Sequence, residues 1–596
     1  MTSERLMNPK GSVLDAFQVE LLTGLQPYGE EARFSAGEKI FARGERSEAF
    51  YVVDEGEVRL ESHSEELDTD SVLDYVGAGS FLGEVSLLGG NPHSLNAVAH
   101  TDVVARRFST DGLKRLFKED PGTGVDVLRS LARDVAGKLQ RANERLSEQA
   151  ADEARDPEVD TMVARAVAAQ REFESWDEER VDKLLEAVAQ AVAARAEELA
   201  QASVEQTHIG NPADKAMKIQ FASLGVYAAM AGKPGFGPLA EESERRVTEI
   251  ASPVGVIVGL VPVTNPVPTF INKTLIALKS RNAIILSCHR MAQELGNTVG
   301  EIIQEVLDEH GAPEGIVQWI RQRTSRRKTA KFMRHEDVGL ILATGGPAMV
   351  KAAYSSGKPA IGVGAGNAPA WVAADADVQR AAKSVVDSKA FDYGLICGSE
   401  QHLVVDVTLR DVMVEALEAN DAVVLDEDET ARFIAGAFDA EGDLLLQFVG
   451  QAAGKIAQAV GLERGHDARL LVFCADSSNP QGAQARERLA PVLSLFTVDG
   501  DEEGFALCRA LLEYEGSGHT ANIHTEDPAR VERFAREMPA SRVLVNAPSA
   551  MGCCGVVTGL EPSLTLGCGT FGGNSTTDNV THANLRNVKR LAHVLG

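Results

Sequence analysis

Cys397 lies between two glycines in the stretch FDYGLICGSE at 391–400. Gly394 and Gly398 would let a substrate approach the sulfur closely, because neither residue carries a side chain. The preceding DVQRAAKSVVDSKAF is typical of a helix and the following HLVVDV of a buried strand. We therefore expect the thiol in a tight loop at the edge of a sheet. The stretch alone leaves two interpretations open, a packed thiol or a nucleophile.

An asparagine follows another apolar strand. VPVTNPVPTF at 261–270 places Asn265 in a turn between Thr264 and Pro266. The turn would project the amide from the carboxyl end of the strand, where it could donate to an oxyanion, an interaction worth about 3 kcal/mol in acyl transfer. Asn-Pro turns are also common without any chemical role.

Two glycine-rich segments could hold a nucleotide. ILATGGPAMVKAA at 341–353 predicts a strand, the pair Gly345 and Gly346, and a helix, which together offer backbone N–H groups to a phosphate or ribose. AIGVGAGNAPA at 360–370 looks like a dinucleotide fingerprint, but Pro369 would prevent the helix start that the fingerprint requires.

The elements around these residues form two kinds of pattern. Residues 15–118 contain short alternating strands with glycine turns, which are typical of a β jelly roll. From 158 onward, helices alternate with continuous apolar strands such as VGVIVGLV and NAIILSC. This alternation predicts parallel α/β sheets that are covered on both faces.

Composition excludes several classes of protein. The chain has 596 residues and a formal net charge of −28, so its surface would repel nucleic acid. Its seven cysteines show no C-x-x-C pair, which predicts free thiols, a reducing cytoplasm and no metal site. The longest apolar stretch is interrupted by prolines, so no membrane span is expected.

Four motifs, taken together, resemble the CoA-acylating aldehyde dehydrogenases: TGGPAMVKAAYSSGKPAIGVGAGNAP, FDYGLICGSEQ, GSGHTANIH and EPSLTLGCGTFGGNS. The likeness runs from about 160 to 596 and is closest to the aldehyde dehydrogenase half of the bifunctional aldehyde–alcohol dehydrogenases. It implies oxidation of a small aldehyde to its acyl-CoA through a cysteine thioacyl intermediate, with NAD (or NADP), coenzyme A as cosubstrate and no metal. No alcohol dehydrogenase module follows, so a monofunctional enzyme is expected.

The resemblance implies a role for each matching residue. Cys397 takes the position of the catalytic cysteine, Asn265 that of the asparagine that holds the oxyanion with the cysteine's own N–H, and His519 that of a histidine near the active site. The implied cofactor-binding residues are Thr264, Ser287, His289, Gly345, Gly346 and Met349.

Hydrolytic aldehyde dehydrogenases carry a glutamate in the segment that corresponds to 360–369, where this chain has no acid. The thioacyl-enzyme is therefore expected to persist until the CoA thiol attacks it. The chain departs from the family's usual pattern at Tyr393, at Gly398 and in LSCHR at 286–290, where the family usually has Ser-Pro-His-Pro. Tyr393 and Gly398 could reshape the aldehyde pocket, and Arg290 could tolerate the 2′-phosphate of NADP.

The implied fold is an α/β aldehyde dehydrogenase, with a Rossmann-like cofactor domain and an α/β catalytic domain, behind a jelly roll. The predicted ranges are 15–118 for the jelly roll, 119–157 for a helix and charged linker, 158–391 for the NAD-binding domain rejoined by the C-terminal segment, 392–560 for the catalytic domain, and 561–596 for a C-terminal strand and helix. The alternation in SLTLGCGTFGGNS predicts a strand that pairs outside its own domain, hence a dimer or larger assembly.

GAGSFLGEVSLLGGNPHSLNAVA at 77–99 resembles the phosphate-binding cassette of cyclic nucleotide-binding domains. Gly83 and Glu84 match the cassette, but His93 stands where the family has the phosphate-binding arginine, and a neutral imidazole is a poor substitute. A docking or assembly domain is the stronger interpretation, and nucleotide binding stays open.

Four other classes of function are alternatives to this interpretation. They are a cyclic-nucleotide-regulated protein, a scaffold that retains the dehydrogenase fold, a transcription regulator, and a dehydrogenase for a functionalised aldehyde such as sulfoacetaldehyde. The acidic charge disfavours the regulator, and the intact Cys397 and Asn265 disfavour the scaffold.

Overall fold

The computed structural model describes residues 25–64, 69–132, 135–136, 156–242, 246–322 and 325–595. The chain forms two compact units, Met1–Asp152 and Glu153–Gly596. None of the described helices is long and apolar enough to cross a membrane.

The first unit is built from two antiparallel four-stranded sheets, which confirms the predicted jelly roll. In spatial order one sheet contains Glu30–Phe34, Val103–Ser109, Ala49–Glu55 and Phe81–Leu82, and the other contains Lys39–Phe41, Asn96–Ala99, Val58–Ser64 and Thr69–Val76. The helices are Glu84–Gly89, Thr110–Glu119 and a further one over 121–132. Most of the predicted helix beyond 132 lies outside the described residues.

A five-stranded parallel sheet carries the predicted cofactor motifs in the second unit. In spatial order its strands are Val317–Trp319, Ala283–Cys288, Val256–Val261, Val338–Ala343 and Ala360–Gly362. The connecting helices are Pro266–Lys279, Gln293–Glu309, Arg326–Arg334 and Pro347–Tyr354. The apolar runs are buried because helices cover both faces, as the continuous pattern predicted.

Helices from the start of this unit pack into the same hydrophobic core as the five-stranded sheet. They are Pro157–Phe173, Glu178–Ala194, Ala196–Thr207, Pro212–Gln220 and Val226–Met230, with a π-helical segment at Phe221–Gly225. In Pro157–Phe173 and Glu178–Ala194 the buried residues are mostly alanines, valines and leucines along one face, which packs on the core. Pro212–Gln220 differs, because it also buries Lys215 and Lys218.

A seven-stranded parallel sheet carries the cysteine loop. In spatial order its strands are Ala422–Leu425, Leu470–Cys474, Val492–Val498, Glu400–Asp406, Ala368–Val372, Gly518–His524 and Ala540–Val545. The main helices of this region are Val378–Ala390, Arg410–Glu418, Glu427–Ala437, Ala453–Ala459, Gly500–Tyr514, Pro528–Glu537 and Ser549–Cys553.

The predicted division at 391 differs from this strand pairing, because Ala368–Val372 already lies between two strands of the seven-stranded sheet. Nothing in the sequence of that short strand indicates which sheet it joins. The other domain boundaries stay predictions.

The third sheet of this unit is antiparallel and contains Gly237–Glu242, Val247–Pro253 and Arg586–Ala592. The strand predicted in SLTLGCGTFGGNS is wrong. Gly569 and Gly573 have φ of 58° and 67°, and Thr570–Gly572 forms a 3-10 turn, so the segment cannot extend. The true C-terminal strand begins at Arg586.

Candidate active site

The loop that carries Cys397 begins with a strained turn. The helix Val378–Ala390 ends, and Asp392 and Tyr393 then adopt left-handed backbone conformations with φ of 44° and 52°. Each such residue costs about 1–3 kcal/mol unless glycine occupies it, so the surrounding structure must hold the turn in place. Gly394 completes the turn at φ 74°, and Cys397 follows it.

Asp392 is the residue through which the turn is held. Its carboxylate accepts hydrogen bonds from Lys215 Nζ at 3.2 Å and from the backbone N–H of Asn211 at 2.7 Å, and it also pairs with Lys218. Asp392 and both lysines are buried. Burial lowers the pKa of Lys215 to about 8. Two cations on one buried carboxylate thus tie the helix Pro212–Gln220 to the cysteine loop.

Lys218 also orients the predicted oxyanion donor. Its ammonium donates to Asn265 Oδ1, so the opposite side of that amide carries the N–H groups. Asn265 Nδ2 donates one hydrogen to Leu395 O at 3.1 Å, two residues before Cys397. An amide nitrogen has two hydrogens, and the second can serve a substrate oxygen.

The sulfur of Cys397 lies beside a histidine. His519 Nε2 is 3.2 Å from Cys397 Sγ, and His519 Nδ1 is 2.9 Å from Thr520 Oγ1. Burial, helped by the charge of Arg542, holds the pKa of His519 well below its usual range. Burial also raises the pKa of the Cys397 thiol above its usual range. The resting pair is therefore a neutral imidazole and a thiol, in which the imidazole can accept the proton when substrate arrives.

A cavity of about 740 Å³ opens at the carboxyl ends of Val256–Val261, Ala283–Cys288 and Val338–Ala343. This is where parallel α/β sheets bind ligands. Cys397 and Asn265 line it. The cavity is also lined by every predicted cofactor residue, namely Thr264, Ser287, His289, Gly345, Gly346 and Met349. His519 reaches the site through its contact with Cys397.

Sequence reasoning missed an acid in this cavity. Glu487 lines it, and its Oε1 atom accepts a hydrogen bond from the backbone N–H of Gly366 at 3.1 Å. Burial raises the pKa of Glu487 to about 8. Segment 360–369 does lack an acid, but a distant part of the chain supplies one, so the absence alone does not decide the fate of a thioacyl group.

In the predicted nucleotide cassette of the first unit, the residue at the arginine position packs against an aromatic ring. Gly83 is left-handed at φ 79°, and Glu84, whose side chain is buried, opens a short helix as the cassette pattern requires. The His93 ring, however, is buried and stacks on Phe41 with the ring centroids 3.9 Å apart. Burial lowers the pKa of His93, so the ring is kept neutral.

Comparison with known proteins defines the class of the two units. The model of the aldehyde dehydrogenase family matches residues 138–584, and the cyclic nucleotide-binding domain model matches residues 31–120. The chain belongs to the aldehyde dehydrogenase family.

Within this family, the chain is similar to several individual proteins. The chain is 40% identical over 443 residues, 73% of its length, to the bifunctional aldehyde-alcohol dehydrogenase AdhE of Escherichia coli, and spans 49% of that protein. It is 32% identical to the succinate-semialdehyde dehydrogenase (acetylating) of Clostridium kluyveri, over 73% of this chain and 95% of that one. The crystal structure of an acetylating aldehyde dehydrogenase from Geobacillus thermoglucosidasius has a TM-score of 0.71 at 40% identity, covering 74% and 97% of the two chains.

Proposed function

We propose that this protein oxidises a small aldehyde to its acyl-CoA, with a nicotinamide nucleotide as hydride acceptor. The observation that carries the proposal is the 3.2 Å contact between His519 Nε2 and Cys397 Sγ, in a cavity that Asn265 also lines. The relatives support this chemistry, because those from C. kluyveri and G. thermoglucosidasius are named as acetylating enzymes.

Three residues of the chain act in the proposed reaction, as nucleophile, base and oxyanion donor. His519 takes the thiol proton as Cys397 Sγ adds to the aldehyde carbon, and the hemithioacetal oxygen is held by the Asn265 amide. A nicotinamide bound in this cavity would supply the acceptor for the hydride that leaves this carbon. Cys397 then carries a thioacyl group. The CoA thiol attacks its carbonyl and the bond between the acyl carbon and the Cys397 sulfur breaks, which releases acyl-CoA. The proton of the CoA thiol passes to the departing sulfur and restores the Cys397 thiol, and His519 gives the first proton to solvent.

A product analysis tests the proposal. Reduced nicotinamide and acyl-CoA are followed over a panel of small aldehydes that includes sulfoacetaldehyde, with NAD or NADP and with or without CoA. Acyl-CoA is expected in amounts equal to the reduced nicotinamide. Cys397→Ala should abolish both products, and the exposed Cys474→Ala should retain them. Free carboxylic acid as the main product at saturating CoA would refute the proposal.

We also propose self-association to a dimer or larger assembly. The strand Arg586–Ala592 pairs on one side with Val247–Pro253, and no described strand pairs with its other side. Leu591, Val594 and Leu595 are exposed close to this edge. Open edges with apolar side chains tend to pair with another chain. A monomer by light scattering at micromolar concentration would contradict the proposal.

We also propose a reducing cytoplasm as the compartment, which the seven free thiols support.

A further inference from the structure

Two arginines line the cavity, each three residues away from one of two hydroxyl groups that contact each other, those of Ser287 and Thr329. Arg290 follows the strand Ala283–Cys288 and Arg326 begins the helix Arg326–Arg334; both line the cavity and both are exposed. The two hydroxyl oxygens are 3.3 Å apart, and both residues that carry them are buried.

These arginines carry charge that the described protein does not neutralise. Among the described residues, no carboxylate lies within ion-pair distance of Arg290 or Arg326, whereas nearby Arg321 pairs with Glu301 at 3.5 Å. The acidic residue in the cavity lining, Glu487, is hydrogen-bonded to Gly366 N. In a protein of net charge −28, two exposed guanidinium groups that line one cavity without a carboxylate partner indicate an anionic ligand.

The position of the arginines indicates which anion. Dinucleotide folds that take NAD place an acid on the ribose hydroxyls of the adenosine, and those that take NADP place an arginine there instead. In this chain the strand Ala283–Cys288, which pairs with Val256–Val261, is followed closely by Arg290 and not by an acid. We propose that Arg290 and Arg326 form a subsite for a phosphomonoester on the ribose of an adenine nucleotide.

Two ligands of the proposed reaction carry this group. NADP has it at the ribose 2′ position and CoA has it at the 3′ position. Planar guanidinium groups bind phosphate oxygens through paired, charge-assisted hydrogen bonds, so losing one of them is expected to weaken binding about tenfold or more. The inference rests on the proposed function, because that function brings these nucleotides into the cavity.

Calorimetric titration of the full chain with 2′,5′-ADP, 3′,5′-ADP and 5′-AMP tests the subsite. At least one of the two bisphosphates is expected to bind about tenfold tighter than 5′-AMP at low salt, and a preference for the 2′ or the 3′ compound identifies NADP or CoA as its source. Arg290→Ala and Arg326→Ala should each remove this preference. Arg334→Ala, at the exposed far end of the same helix, should keep it.

Equal binding of all three nucleotides, no binding of any, or a preference that survives the Arg290→Ala/Arg326→Ala double variant would overturn the subsite. Failure of the proposed function gives a different result. A protein that keeps the arginine-dependent preference but forms no acyl-CoA has the subsite without the reaction. A protein that forms acyl-CoA without the preference has the reaction without the subsite.

Discussion

His519 Nε2 and Cys397 Sγ are 3.2 Å apart, although 122 positions separate the two residues in the chain. The strand Gly518–His524 brings the imidazole from one part of the seven-stranded sheet, and the loop before Glu400–Asp406 brings the thiol from another. The pair therefore depends on the fold and not on a local motif.

His519→Gln is predicted to slow both aldehyde oxidation and alkylation of Cys397 by about a hundredfold at pH 7, because general-base assistance is worth at least that much. Since the lowered pKa keeps the native imidazole neutral, the native alkylation rate should hold between pH 8 and pH 6. Iodoacetamide labelling followed by mass spectrometry measures it. An unchanged rate in the variant would remove His519 from the mechanism.

Asp392→Asn is predicted to destabilise the second unit by about 3–5 kcal/mol, because it leaves Lys215 and Lys218 buried without their carboxylate. Denaturant unfolding followed by tryptophan fluorescence measures the loss. The control is Asp387→Asn, whose partners Lys383 and Arg469 are exposed, and which should cost at most about 1 kcal/mol. Equal losses in the two variants would contradict the role given to Asp392.

Gly398→Ala alone is predicted to lower both stability and activity, and a second substitution at Cys553 is predicted to restore them. A Cβ at 398 would lie 2.3 Å from Cys553 Sγ. The overlap should cost about 1–3 kcal/mol and disturb the neighbouring Cys397. In Gly398→Ala/Cys553→Ala the obstructing sulfur is gone, so stability and activity should return toward those of Cys553→Ala alone. A double-mutant cycle measures the coupling, and simple additivity would show that the two sites do not clash.

Glu487→Gln tests whether the acid in the cavity acts on the thioacyl group. Because burial raises the pKa of Glu487 to about 8, its carboxylate forms only as the pH rises through that value. Without CoA, slow hydrolysis of the thioacyl-enzyme should increase between pH 7 and pH 9, and the glutamine variant should lose this step. Single-turnover acid release measures it. The same pH step in both proteins would assign hydrolysis to solvent hydroxide alone.

His93 is predicted to make the first unit less stable in acid. The unfolded chain takes up a proton near pH 6.5, but burial lowers the pKa of the folded His93, so stability falls as the pH drops below about 6.5. Amide exchange of Ala49–Glu55 should be faster at pH 5.5 than at pH 7.5, after correction for intrinsic rates. His93→Gln should reduce this difference, and the exposed His100→Gln should leave it. Equal effects of the two variants would contradict the prediction.

The same packing bears on nucleotide binding. His93 stacks on Phe41, and the cassette has no arginine at this position, so cyclic AMP and cyclic GMP are expected to bind the full chain weakly or not at all at pH 8. Calorimetric titration measures this. Micromolar affinity for either nucleotide would show that the stacked rings move aside.

Sequence reasoning predicted the parts of this protein that local patterns encode. Continuous apolar runs indicate strands buried on both faces, and the glycines around Cys397 indicate a loop, so the parallel sheets and the cysteine loop could be predicted. Lys218, Asp392 and Glu487 could not, because a buried charge is recognisable only when its partner is known. The strand prediction for segment 563–575 was wrong because its alternation of residues resembles a strand, whereas Gly569 and Gly573 adopt positive φ.

The pairing of Arg586–Ala592 with Val247–Pro253 has a consequence for synthesis on the ribosome. Asn282, which directly precedes the strand Ala283–Cys288, also donates from Nδ2 to Leu585 O at 2.7 Å, so this late segment has a second contact with an early part of the chain. The strand Val247–Pro253 leaves the ribosome more than three hundred residues before its partner Arg586–Ala592, so the antiparallel sheet stays incomplete during that part of synthesis. A chain released by premature termination before 586 would present Val247–Pro253 as an unprotected edge, which is a target for chaperones and proteases.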